Sequence, residues 1–277
     1  MNSKQVTIVE ASQGVGLDWR EFLRSRELVY FFAWRNFKIR YKQTVIGAAW
    51  AVFRPFILMV VFTAIFKRSG SLAPGYEDIP YPLFLYSGLL FWTYFSQTTT
   101  QVGDSLISSQ NIIKKIYFPR IIAPVAVALT GLIDFFISFI IYIGLMVYYG
   151  VSPQLSGIVL FLPMLTLTFL CVIGIGSFMT ALNVRYRDVQ QALPFFMQVL
   201  LFLTPVIYSV DFIPKNLQWV LFLNPIAGVI ETMKTSTFGV EVVNWNHLGI
   251  SLISAVFIII LGLVFFRSQE RQVADLI

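Results

Sequence analysis

The chain has 277 residues, 57% of them hydrophobic and 12% charged, with a formal net charge of +6. Soluble domains carry about 25% charged residues, so a water-soluble globule is excluded. The cations lie beside apolar runs, which suits anionic lipid headgroups rather than nucleic acid. A single Cys and a single His exclude an internal disulfide and a His/Cys metal cluster.

Residues 1–17 are polar and mixed, without the ordered basic, apolar and small-residue regions of a cleavable signal. From Trp19 to Lys42 the pattern turns helical. Tyr30, Trp34, Phe37 and Tyr41 share one face, and Arg35, Lys38 and Lys42 share another. Rings on one side and cations on another predict a helix lying in a membrane interface; a helix packed on a partner protein would read the same way.

Six runs are long enough to cross a hydrocarbon core: Ile46–Phe66, Tyr81–Gln101, Ile121–Tyr149, Leu155–Leu182, Ala192–Tyr208 and Leu248–Phe266. The fold class is therefore an all-α polytopic membrane protein, a single transmembrane domain over 1–277. Leu217–Ile230 is too short to span comfortably and is punctuated by Pro214 and Pro225, which predicts a pair of short re-entrant or surface helices in the segment 211–247. With both termini in the cytosol, fifteen cations fall on the cytosolic side and four, Lys67, Arg68, Lys215 and Lys234, on the other. That bias sets the orientation.

Between the second and third runs lies Ser105–Arg120, with three cations and no acid. Read as one helix, it places Leu106, Ile113, Ile116 and Tyr117 on one face and Ser108, Asn111 and Lys115 on the other. Pro119 should end it, and Pro124 falls in the first turns of the next helix. A short basic amphipathic helix here suits a cytosolic partner's grip; an ordinary basic loop obeying the positive-inside rule is the plainer alternative.

Two charges fall within the runs. Arg54 either serves a function at depth or snorkels to the headgroups. Asp134 lies about 19 Å deep by helix rise, against about 12 Å for Arg54, a gap that a long arginine side chain can bridge. The second run ends in Ser96–Gln101, whose hydroxyls and amides suit either a water-lined surface or tight helix packing. Gly174, Gly176 and Ser177 read as close packing, and Asn183–Asp188, with Arg185, Arg187 and Asp188, caps the fourth run in the cytosol. The chain carries no G-x-x-x-x-G-K-[ST] phosphate loop, no G-x-S-x-G and no His-based catalytic cluster.

The set RYKQTVIGAAWAVFRP (40–55), YPLFLYSGLLFWTYF (81–95), SLISSQNIIKKIYFPR (105–120), NVRYRDV (183–189), TPVIYS (204–209) and LNPIAGVIE (223–231) resembles the membrane subunit of polysaccharide ABC exporters, the ABC-2 type permease family. The resemblance covers nearly the whole chain in the family's order. It implies a homodimer of six-helix subunits with two copies of a separate ATPase that binds ATP and Mg; this chain itself would carry no cofactor and no catalytic residue. It implies that the interfacial helix lies on the cytosolic side and that Ser108, Asn111, Lys114 and Lys115 belong to a coupling helix entering a groove on the ATPase. It further implies that short helices between the fifth and sixth spans gate the outer end.

The implied cargo is a lipid-linked polysaccharide crossing a bacterial cytoplasmic (inner) membrane. O-antigen is the leading choice, with teichoic acid or capsular polysaccharide as alternatives. Trp92, Tyr94, Phe95, Gln97 and Gln101 are the channel-lining candidates, because glycans stack C–H faces on rings and hydrogen-bond through hydroxyls. A secondary transporter would show intramembrane acids and repeated halves. A membrane transferase acting on lipid-linked sugars would need a catalytic cluster, and the outward segment offers only Glu231, Glu241 and His247.

Overall fold

The described residues form eleven α-helices and one 3-10 turn, with no strand among them. The computed structural model describes residues 25–42, 47, 49–66, 73–115, 118–186, 188–240 and 243–276, with side chains up to residue 270. Expectations resting on residues 1–24, on Lys67, Arg68, Ile116, Tyr117, Arg187 and Glu241, and on the Arg271 side chain lie outside the described residues.

Helix α1 spans Arg26–Lys42. Of its aromatic face, Tyr30 and Trp34 are 70% and 46% exposed, Trp34 stacks on Phe37 at 5.5 Å, and Phe37 and Tyr41 are half-buried. The inward face is a different one: Val29 and Phe32 pack on Phe118, Ile122 and Ala126. α1 is thus laid along the bundle rather than through it, one apolar stripe docked and one aromatic stripe partly open.

Among the described residues, four helices are long and apolar enough to cross a membrane: α2 (Ala49–Phe66), α6 (Ile122–Tyr149), α7 (Leu155–Arg185) and α11 (Trp245–Leu276, its apolar part ending at Glu270). Continuous apolar residues favour helix here because every interior backbone group is bonded within the segment. The other two expected spans are helices of a different character. α3 (Tyr81–Gly103) begins on Pro80 and carries a polar second half. α8 (Asp188–Leu203) has only 16 residues, and the turn at Thr204-Pro205 ends it, since proline cannot continue the ladder.

α3 is the centre of the bundle. Sixteen of its 23 residues are buried, and α6, α7, α2, α8 and α10 (Pro225–Phe238) all pack against it. Approach is closest where one side lacks a side chain. A Cβ on Gly131 of α6 would stand 2.4 Å from Thr98 Oγ1, and one on Gly262 of α11 would stand 2.1 Å from the Gly174 carbonyl of α7. The small residues of 174–177 therefore pack α7 onto α11 and α3, as their spacing predicts.

The segment between α8 and α11 holds a 3-10 turn (Val210–Phe212), the four-residue α9 (Gln218–Leu221) and α10. Asn224 caps α10 by accepting from the Ile226 N–H at 3.1 Å, with Pro225 in its first turn. Surface placement was one expectation for this pair, and α10 departs from it. Thirteen of its 14 residues are buried, because α7, α11 and α3 enclose it.

Candidate functional site

The stretch 105–120 is not one helix. It breaks into α4 (Ser105–Ser108) and α5 (Gln110–Ile113), hinged at Ser109. Ser108 Oγ donates to the Ser105 carbonyl at 3.0 Å, a local bond that competes with helix continuation. The division of faces survives the break. Leu106 is fully buried against Ala123, Ala181 and Phe266, contributing about 1.5–3 kcal/mol, and Ile112 and Ile113 pack toward Phe118 and α1. Ser108, Asn111, Lys114 and Lys115 are all exposed. The result is a short knuckle rooted by apolar side chains, with amides, a hydroxyl and two ammonium groups presented outward.

Polar contacts fix this knuckle from two sides. Arg35 of α1 donates to Ser109 Oγ at 3.3 Å. Just beyond the knuckle, the Arg120 N–H donates to Glu270 Oε1 at 3.2 Å, its guanidinium donates to the Glu270 carbonyl, and Arg267 pairs with Glu270 at 3.1 Å. Asn183 of α7 donates to the Gly103 carbonyl at 2.9 Å and to Asp104 at 3.1 Å, holding the end of α3. Burial raises the Asp104 carboxyl above the usual range, and a hydrogen bond from Gln190 opposes this. Arg185 and Asp188 are exposed at the α7–α8 corner, with Arg185 5.4 Å from the Tyr186 ring.

Two families of side chains share α3, and they diverge. Trp92, Tyr94 and Phe95 are 4%, 4% and 1% exposed, and the Tyr94 hydroxyl donates to the Ala128 carbonyl at 3.3 Å. These rings are core in the single chain, packed against α6 and α7. Thr93, Ser96, Gln97, Thr100, Gln101 and Asp104 follow helical spacing and are each half-buried. They form a continuous polar stripe on the open side of α3. By helical spacing Trp92 and Phe95 lie away from the two amides, whereas Tyr94 falls on the same side as Gln97 and Gln101.

The carboxylate in α6 is paired with a residue of α1. Asp134 pairs with Arg40 at the end of α1, not with Arg54, and accepts from the Tyr41 hydroxyl. The same guanidinium donates to Gln101 Oε1. Arg54 is exposed near the start of α2 and makes no ion pair among the described residues. Sequence reasoning assigned Arg35, Lys38 and Lys42 to the basic face and passed over Arg40. The signal was present: Val29, Phe32, Ala33, Asn36 and Arg40 fall on one face of α1, so Arg40 ends a stripe that is otherwise docked.

A second unanticipated cation is Lys234 in α10. It is fully buried, donates to the carbonyls of Pro205 and Val206 at 2.8 and 2.9 Å, and lies 3.6 Å from the Phe84 ring centroid. Burial pushes its pKa down, and the nearby Glu231 charge pulls it back. It pins α10 to the chain after α8 and to α3.

The family model described as ABC-2 type transporter matches residues 27–238. An O-antigen export system permease protein RfbA from Klebsiella pneumoniae is 27% identical over 247 residues, covering 88% of this chain and 92% of the relative. An RfbA from Myxococcus xanthus is 26% identical over 214 residues, 76% and 80% of the two chains. The polysialic acid transport protein KpsM of Escherichia coli is 25% identical over 248 residues, 86% and 91%.

Proposed function

Because this chain belongs to the ABC-2 type transporter family, we propose that it is the channel-forming permease subunit of an ATP-driven exporter of a lipid-linked polysaccharide, with O-antigen the favoured cargo. It is a transport subunit rather than an enzyme. ATP and Mg reside on a separate ATPase chain, two copies of which bind a homodimer of this one. The reading has six spans with both termini in the cytosol of a bacterial cell, α3 and α8 joining the four long apolar helices to complete the count. The distribution of Lys and Arg supports that orientation.

The observation that carries this reading is the knuckle formed by α4 and α5. Its apolar underside is anchored in the bundle and its exposed Ser108, Asn111, Lys114 and Lys115 are held ready for a partner. In this reading Arg185 and Asp188 share that cytosolic face. A rooted knuckle transmits a push from the ATPase directly into α6, α7 and α11, which its apolar side chains contact.

The translocation path is assigned to the polar stripe of α3, with Gln97 and Gln101 as its lining candidates, facing the same stripe of a second copy. A single subunit of this size is too small to surround a hydrated glycan. Exposed apolar side chains on α2 (Phe53, Phe56) and α8 (Phe195, Phe196) leave surface for the second subunit and for lipid. Thr100 and Gln101 have partners within the chain; in a lumen the remaining polar groups of the stripe avoid a cost of about 1–3 kcal/mol each for unpartnered burial.

The test is deletion of the gene in its own cell, with complementation by the chain and its ATPase. Deletion should leave lipid-linked glycan in the cytoplasmic leaflet and strip it from the surface, and the pair should restore it. Undiminished surface glycan in the deletion strain would sink the proposal. A second reading, export of an acidic capsular polymer, draws on the likeness to the polysialic acid transport protein. Composition of the trapped glycan decides between the two.

A further inference from the structure

A polar cavity of about 430 Å³ opens at the end of the bundle opposite the α4–α5 knuckle, enclosed by the 3-10 turn, α9, α10 and the start of α11. Ligand pockets commonly fall between about 300 and 1,000 Å³, so the space suits a small ligand or one or two units of a larger one. Thr232 and Thr235 of α10 are buried at its floor, and Glu231 is half-buried beside them. Asp211, Lys215 and Asn244 stand exposed at its rim.

The wall is built rather than incidental. Gln218 Nε2 donates to the carbonyls of Val210 and Ile213, both at 3.1 Å, fixing the loop that carries Asp211. Ser209 Oγ accepts from the Asp211 N–H at 3.4 Å. The Asn244 side-chain oxygen accepts from the N–H groups of Asn246 and His247 at 3.2 and 3.4 Å, which turns its NH₂ into the group available to a ligand. Thr235 Oγ1 donates to the Glu231 carbonyl at 3.0 Å, leaving oxygen lone pairs to offer. His247 lies flat on the buried Phe222 ring, centroids 4.1 Å apart and planes at 17°, closing the side formed by α11.

The chemistry of this wall selects the ligand class. Two carboxylates accept hydrogen bonds, an amide and an ammonium donate them, and two threonines take part at the floor. A ligand meeting all of these must present donors and acceptors at short intervals, as the hydroxyls of a sugar ring do. An anionic ligand would face Asp211 and Glu231 against Lys215 in the wall, while Lys234, which interacts with Glu231, is turned away to the Pro205 and Val206 carbonyls. A simple cation would leave the donors unused.

We propose that this cavity binds one or two units of a neutral sugar chain at the outer end of the transporter and disfavours acidic sugars. The proposal deepens the exporter reading and rests on it for the sugar's arrival at this end.

The test is saturation-transfer NMR on the full chain with its ATPase in phosphatidylglycerol nanodiscs. The probes are mannobiose, N-acetylglucosamine disaccharide and N-acetylneuraminic acid. Saturation should pass to at least one neutral sugar and about tenfold less to N-acetylneuraminic acid, the factor that corresponds to about 1.4 kcal/mol. Asp211→Asn with Asn244→Leu should reduce the neutral signal by about tenfold as well. Both positions are exposed, and co-purification of the ATPase checks that the variant is folded. Equal transfer in the variant, preference for the acidic sugar, or no transfer to any probe each overturns the site. If the site fails while the chain still restores surface glycan to the deletion strain, the exporter reading stands alone. If deletion leaves export intact, it is the exporter reading that falls.

Discussion

Arg40, at the end of the helix laid along the bundle, forms an ion pair with Asp134 inside α6, and its guanidinium also reaches Gln101 on α3. One cation therefore ties three elements together. Five residues earlier on the same helix, Arg35 holds Ser109 at the hinge of the α4–α5 knuckle. α1 is the strap between the knuckle and the polar stripe of α3, held at each by an arginine of its C-terminal half.

The first prediction concerns that strap. Asp134→Asn and Arg40→Gln each leave a charge without its partner. The pair is about a quarter exposed, at 26% and 25%, so the cost should sit below that of a dry pair, at about 1–3 kcal/mol. Thermal unfolding of the purified protein should show both losses, with the combined Arg40→Met, Asp134→Leu variant recovering part of them. Additive losses in the double variant would mean that the two side chains do not depend on each other.

Charge reversal at Lys114 and Lys115 should leave the fold intact, because both side chains are exposed and rooted by neighbours rather than by themselves. Co-purification of the ATPase should drop by about tenfold or more, while membrane insertion persists. Normal co-purification and normal export would remove these lysines from the interface.

Orientation is open to single-cysteine labelling in a Cys171→Ala background. Glu77→Cys and Asn244→Cys should react with an impermeant reagent from outside intact cells, whereas Ser108→Cys and Ser268→Cys should not. All four positions are exposed, unlike Ser109. Outside reactivity at position 108 would invert the whole arrangement.

The two faces of α3 should respond differently to substitution. Trp92→Ala empties a core site and should lower stability by about 3–5 kcal/mol, visible as reduced protein level and Tm. Gln97→Cys carrying a bulky thiol label should leave Tm unchanged and block export. If labelled Gln97→Cys exports normally, the stripe is not part of the path.

Lys234 gives the chain a pH signature. Burial holds it down to about 7, against 10.5 for an ordinary lysine. A lysine depressed in the folded state contributes stability that is present above the ordinary value and is lost as pH falls through the folded one. The Tm of the wild type minus that of Lys234→Met should therefore rise from about pH 6 to about pH 9. The substitution should also cost about 1–3 kcal/mol at high pH, because the carbonyls of Pro205 and Val206 lose their donors. A flat difference across that range would show that the amine keeps its charge in the fold.

The sequence by itself determined where helices run, because apolar length, Pro119, Pro124 and Pro225 act on the backbone locally. It also separated the exposed Ser108, Asn111 and Lys115 from the buried Leu106, since that contrast is a matter of spacing. Tertiary structure alone decided the partner of Asp134, the burial of Trp92, Tyr94 and Phe95, the enclosure of α10 and the hinge at Ser109. The physical reason is that lipid and protein interior are equally apolar. Hydrophobicity that separates inside from outside in a soluble domain does not say which face of α3 meets α6 and which stays open. Periodicity names the residues that share a face; only the packing of neighbours says what that face meets.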